Sequence, residues 1–329
     1  SALHEATTAE LARWDARMVD GPGGHVYQSR AWGDYQAAAG WRTRYLVFPD
    51  GFGVLVLERR WPFLPGGSAY LTRGPIPGGE SVEQTAERLR AATGWLGAHG
   101  IDVVASDAEV PAASAYPGLP ARAGFHPIEE IQPSRHTMRL PLAGADEAAI
   151  FGAIAKSTRQ RIRQAERSGA QVVRFDARGG DQPVGPGGIR GHLDRFYDLL
   201  LATGERRGFT FGARREFVSW WEGAFSAGHL VYLAAVRAGQ PAADSPPTSS
   251  ALAGLILFRH GDRLSTVHSA DVADHRGTHP GLPHLLRWRA IQLAIFARAP
   301  GPAVAVEGAE PGAVLVARHP RSEAARHGT

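Results

Sequence analysis

Apolar and polar positions divide the chain into two stretches with a similar order of elements. In the first, Ala6 to Val19 have apolar spacing for a short helix, which GPGG at Gly21–Gly24 stops. Trp32, Tyr35 and Ala39 then fall three and four apart, so a helix presents aromatics toward a core, with Gln28 and Gln36 at a polar mouth near its ends. YLVF and GVLVLERRW flank a PDGFG turn and predict a hairpin between Tyr45 and Trp61. A strand from Tyr70 runs into the Gly/Pro loop of YLTRGPIPG. Val82 to His99 is a helix with Ala86, Leu89, Thr93 and Leu96 on one stripe, and IDVVASD is a buried strand ending in Asp107. Two extended segments separated by QPSR, between Gly124 and Leu142, close the first domain.

The second stretch opens on a basic helix. Phe151, Ile154, Thr158, Ile162 and Ala165 form its apolar stripe, and Lys156, Arg159, Arg163 and Arg167 share the opposite arc. Gly169 stops it, and AQVVRF continues as a strand. A Gly/Pro connection over Gly179–Gly191 leads to a helix carrying Leu193, Phe196, Leu199 and Leu200, then to the turn TGERRGF with Arg206 and Arg207. A helix over Glu216–Phe225, the strands LVYLAAVRAG and SALAGLILFRHGDRLSTVHSA, a long helix from Leu282 and a last strand in PAVAVEGAEP follow. PAADSPPTSS reads as an inserted loop. Two α/β domains are expected, over 1–145 and 146–312, with 313–329 as a poorly ordered tail.

Composition narrows the chemistry. None of the 329 residues is cysteine, which removes disulfides, thiol nucleophiles and cysteine metal sites. No apolar run approaches the ~20 residues of a membrane-spanning helix, and no export signal is visible, so a cytoplasmic protein is expected. Charge is uneven: 13 Arg/Lys face 15 Asp/Glu up to Ala145, and 23 face 17 from Asp146 on, giving the net +4. The basic half favours an anionic partner such as phosphate, pyrophosphate or nucleic acid. There is no basic run with interleaved aromatics, so a reader of DNA sequence is not expected.

Candidate residues follow from position. Asp107 ends a strand, where an open α/β sheet places ligands, or else caps a turn. Arg73, beside Gly74, either contacts an anion or caps a sheet edge. Arg206 and Arg207 on a rigid turn can grip phosphate or carboxylate through a fixed fork of donors, or simply face solvent. Lys156 is the only lysine in the chain; the arginines around it are either a ligand surface or a solvated face. His275 and His279 in HRGTHPG are four apart, but proline and glycine break any metal-binding helix face, so no metal is expected. No Gly-rich phosphate cradle, G-x-S-x-G elbow or H-E-x-x-H pair is present.

Taken together, HVYQSRAWGDYQ, YLTRGPIP, ARAGFHPIEEIQPSRHTMRL, KSTRQRIRQAERSGAQV, FYDLLLATGERRGF and LPHLLRWRAIQLAI, in this order over about residues 25–308, resemble the FemABX family of aminoacyl-tRNA-dependent aminoacyltransferases. The resemblance implies two tandem GNAT-like α/β (α+β) lobes with mixed, largely antiparallel sheets flanked by helices, and a substrate groove between them. It implies aminoacyl-tRNA as donor, and a peptidoglycan precursor stem peptide or a related small amine as acceptor. No cofactor is expected; the short apolar runs already speak against a membrane-spanning segment and leave room only for transient contact with a membrane surface. Carried over residue by residue, Arg206 matches a diphosphate-gripping arginine in T-x-x-R-x-G-F. Asp107 falls at an acidic substrate contact that orients or deprotonates the amine, and Lys156 and Arg159 match K-x-x-R, with a structural or tRNA-facing role. Trp32, Tyr35, Gln36 and Arg73 complete the expected binding set.

The sequence also departs from the family pattern. Gln36 stands where some precursor-binding members carry lysine, AVEG at Ala305–Gly308 lacks an aspartate, and the lysine expected toward the C-terminus has no counterpart. An acyl-CoA-dependent N-acyltransferase using RGTHPG, Arg276–Gly281, as its pyrophosphate loop, and a binding protein without catalysis, are the alternatives.

Overall fold

A computed structural model describes residues 2–307 and 314–318, apart from 112, 130, 132–136, 143, 145, 182–183, 185–187, 209, 238–250, 273–278 and 297–302. The expected loop over PAADSPPTSS, His275 and the first half of the RGTHPG segment, 276–278, lie outside the described residues. The chain divides into two compact units, Ser1–Thr137 with Gly308–Thr329, and Met138–Glu307.

The first unit begins with strand β1 (His4–Glu5) and helices α1 (Thr8–Ala12) and α2 (Trp14–Met18). One helix was expected here. Arg13 breaks it by leaving helical geometry, at φ −111 and ψ 9, and the break lets Trp14 and Met18 turn into the core. A short 3-10 turn, Val26–Gln28, then feeds α3 (Arg30–Ala38), whose first turn is capped by the Ser29 hydroxyl accepting from the Trp32 amide. Strands β2 (Arg42–Val47) and β3 (Gly53–Arg60) form the expected hairpin, and β4 (Gly67–Leu71) pairs antiparallel with β3. Helix α4 (Val82–Ala98) then crosses over to β5 (Val103–Ser106), which lies parallel to β4. Leu89, Ala92 and Leu96 of α4 pack on Val54, Val56, Leu71 and Val104, each burial contributing about 1.5–3 kcal/mol for the larger side chains. Helix α5 (Gly118–Arg122) and β6 (His126–Ile128) follow.

The second unit carries β7 (Thr137–Pro141), α6 (Glu147–Ala153), α7 (Lys156–Arg167), β8 (Ala170–Asp176), α8 (Arg190–Arg207), α9 (Arg214–Ser226), β9 (Leu230–Arg237), β10 (Ala251–His260), β11 (Arg263–Asp271), α10 (Leu282–Phe296) and β12 (Ala303–Glu307). Its sheet runs β7-β12-β11-β10-β9-β8, antiparallel among β8 to β11, with β11 and β12 parallel around the α10 crossover. Ile162 and Ala165 of α7 and Leu282, Leu285, Leu286 and Ala290 of α10 cover Val231, Leu233, Leu255 and Leu257.

Three further expectations change, the first being that Arg206 and Arg207, expected on a turn after the helix, are the last two residues of α8. The basic helix does not run through Phe151, because Ile154 and Ala155 are extended (ψ 141 and 138) and separate α6 from α7. Where 313–329 read as a tail, strand β13 (Val314–Arg318) inserts between β5 and β6, completing the order β1-β2-β3-β4-β5-β13-β6. Five apolar-rich residues have no periodicity of their own; the two strand edges they join give them strand geometry.

Candidate active site and anion pocket

The parallel pair in the first unit places two loops side by side. Arg73, two residues past the end of β4, adopts φ 50, a conformation that costs a non-glycine residue about 1–2 kcal/mol. Its amide donates to Asp107 Oδ1 at 2.5 Å, and its guanidinium Nε lies 3.7 Å from Oδ2. The Tyr70 hydroxyl donates to the same Oδ2 at 2.7 Å. Asp107 is buried, and removal from water raises its pKa above the ordinary carboxylate value; the Arg73 charge and the Tyr70 hydrogen bond oppose the rise without cancelling it. The Tyr116 phenol is raised as well, by burial first and by the Asp107 charge after it.

Three sequence segments meet here. Gln28 is fully buried and donates through Nε2 to the Thr72 carbonyl at 2.5 Å, while its Oε1 accepts from the Leu55 amide at 2.7 Å. It is a staple between loops and not part of a polar mouth. A side chain at Gly74 would come within 2.7 Å of that amide group, so glycine is required at this approach. Ser106 donates to the Gly74 carbonyl at 2.7 Å, and His25 Nε2 lies 3.9 Å from Glu109 Oε2. HVYQSRAW, YLTRGPIP and the end of ASD therefore form one contiguous polar cluster. Trp32 stacks on Tyr27 at 4.4 Å and touches Tyr35 at 5.2 Å, forming an aromatic group at the start of α3; Gln36 is half-buried one turn on.

In the second unit Arg206 is oriented within α8. Its Nη2 donates to the Asp271 carboxylate at 2.7 Å and to the Asp271 carbonyl at 2.8 Å, fixing the end of α8 to the end of β11. Gly208 closes the helix in the left-handed conformation at φ 77. The next residue, Arg207, lines a cavity of about 80 Å³ with Thr203, Ser269, Asp271 and Arg287. Arg287 donates to the Ser269 hydroxyl at 3.2 Å, and its pKa is lowered by burial and then by the Arg207 charge. Burial, followed by Arg161 and Arg287, also lowers the pKa of His284. The fields of Arg161, Arg207 and Arg287 thus overlap, and none of the three has an ion-pair partner among the described residues. Such a surplus attracts anions.

The remaining candidates are placed differently. Lys156 is exposed at the first position of α7, at a helix end whose partial positive charge disfavours it. Arg159 donates to the carbonyls of Gly152 and Ile154, so it caps α6. Sequence reading singled out neither Arg287 nor Ser269, since each lies within an element whose apolar pattern is its dominant signal. Among the described residues no group of acidic and histidine side chains could hold a metal, and no helix is long and apolar enough to cross a membrane.

The two mixed, largely antiparallel sheets with their flanking helices give an α+β fold of two units, the fold class that the six motifs implied. More particularly, the fold is that of FemX: its crystal structure aligns with a TM-score of 0.70, covering 95% of this chain and 90% of that one at 16% identity. L-PGS from Bacillus licheniformis aligns with a TM-score of 0.54, covering 91% of this chain and 76% of that one at 12% identity. No protein-family model and no curated protein matches the sequence.

Proposed function

We propose that the protein is a cytoplasmic aminoacyltransferase that moves an amino acid from aminoacyl-tRNA to an amine, on a peptidoglycan precursor stem peptide or a related small molecule. The FemX fold and the six ordered motifs support the donor class. The observation that carries the chemistry is the buried Asp107 carboxylate, held by Tyr70 and the Arg73 amide, with its proton affinity raised by burial.

An aminoacyl ester is already activated, so the reaction needs a positioned and deprotonated amine. Asp107 accepts the proton as the amine nitrogen bonds to the ester carbonyl carbon. The carbon–oxygen bond to the ribose then breaks, and the departing ribose oxygen takes the proton back from Asp107 to become a hydroxyl. No covalent enzyme intermediate is required. A raised carboxylate pKa brings the base closer to the operating pH, where proton transfer is most effective. Arg207 and Arg287 supply the phosphate grip, with Arg206 oriented beside them through Asp271.

Incubating the protein with a mixture of charged tRNAs and candidate amines, and following which ester is consumed, tests this reading. Amine-dependent loss of one aminoacyl ester supports it. Stable esters together with a thermal shift on adding acetyl-CoA would replace it with acyl-CoA-dependent transfer.

A further inference from the structure

The turn from β3 to β4 reads Trp61-Pro62-Phe63-Leu64-Pro65-Gly66 and presents its apolar side chains to solvent. Phe63 is exposed at 105% and Leu64 at 65%. Phe63 also has φ 64, a backbone region that bulky side chains rarely occupy. Collapse onto the protein surface would remove this exposure, and the base of the turn prevents it. Trp61 Nε1 donates to Asp102 Oδ2 at 2.9 Å, the Gly67 amide donates to the same oxygen at 3.1 Å, and Arg60 donates to the Gly100 and His99 carbonyls at 2.7 and 3.1 Å. The tip is therefore a fixed projection.

Its charge and backbone indicate what covers it. Arg59 and Arg60 are exposed at its base, with the Arg59 guanidinium 4.1 Å over the Trp41 ring. Of the nearby carboxylates, Glu58 is buried against Arg44 and Asp102 is engaged by Trp61, so the exposed charge beside the tip is positive. Pro62 and Pro65 have no amide hydrogens to desolvate. Two copies docked tip to tip would bring their arginines together and bury far less than the ~800 Å² per partner of a stable interface. An anionic lipid headgroup layer complements both the apolar tip and the cationic base.

We propose that this hairpin tip is a membrane-docking element that inserts Phe63 and Leu64 into the interfacial layer of an anionic bilayer. The tip precedes β4, whereas Arg73 and Asp107 follow β4 and β5, so a strand of roughly 16 Å separates docking element from polar cluster. Docking does not rest on the aminoacyl-transfer reading.

The test is co-sedimentation of the full chain with vesicles of phosphatidylcholine alone or mixed with phosphatidylglycerol, alongside sedimentation velocity without lipid. The wild-type protein is expected to bind the anionic vesicles as a monomer. Phe63→Ser with Leu64→Ser should weaken binding about 100-fold with an unchanged unfolding midpoint, and Arg59→Gln about fivefold. Absence of vesicle binding, binding unaffected by the double substitution, or self-association that the double substitution abolishes would each overturn the proposal.

Discussion

Arg73 and Arg206 each contact an aspartate that follows or ends a strand, yet their surroundings differ. Around Arg73 everything is closed: both partners are buried, and the Asp107 carboxylate is matched by the Tyr70 hydroxyl, an amide and a guanidinium. Around Arg206 the Asp271 carboxylate binds that arginine, while Arg207, Arg287 and Arg161 have no ion-pair partner among the described residues and form a local surplus of positive charge. A closed set fixes the geometry and proton affinity of one group; an unbalanced one leaves attraction for something absent from the chain. The first suits a base, and the second suits a phosphate.

The largest effect should come from breaking the closed set. Asp107→Asn keeps a similar shape but cannot take a proton, so kcat/KM should fall about 10²- to 10⁴-fold, measured as amine-dependent loss of aminoacyl ester. The surplus should behave differently. Replacing Arg207 and Arg287 together with alanine should raise KM for the phosphorylated partner roughly tenfold or more while sparing kcat, and should flatten the dependence of binding on salt, because two fewer counterions are released.

Smaller effects fall on stability. Burial lowers the pKa of His268 to about 4, in contact with the Phe217 and Trp221 rings. A depressed folded-state pKa gives stability that is present above the unfolded value near 6.5 and lost as pH falls toward 4. His268→Gln should remove that acid sensitivity, roughly 2 kcal/mol after discounting for partial exposure, as read from unfolding midpoints between pH 7 and pH 4. Arg206→Ala, which frees the end of α8 from Asp271, should cost about 1–2 kcal/mol in denaturant unfolding. Lys156→Ala, which removes an unfavourable charge from the start of α7, should shift stability by about 0.5 kcal/mol in the favourable direction.

These contrasts show what sequence could carry. The β2–β3 hairpin, the α4 stripe and the basic α7 were legible because their patterns are local and strongly periodic. Asp107 was legible as a carboxylate at a strand end, although its partners Tyr70 and Arg73 lie more than 30 positions away and only the parallel β4–β5 pairing brings them near. Strand β13 was not legible, since its neighbours in the sheet come from distant parts of the chain. Nor was the surplus around Arg207: Arg287 lies about 80 positions further along the chain, and only folding sets it beside α8. For Arg159 a structural or a tRNA-facing role was expected, and the contacts its guanidinium makes are structural, capping the preceding helix.

The most direct measurement is single-turnover amide formation from charged tRNA and an excess of amine, followed across pH for the wild-type protein and Asp107→Asn. A base held by burial predicts product that depends on the amine, with an acid limb above the ordinary carboxylate range near 3.9 in the wild type and no such limb in the variant. Equal rates in the two proteins, or ester loss that ignores the amine, would contradict the account.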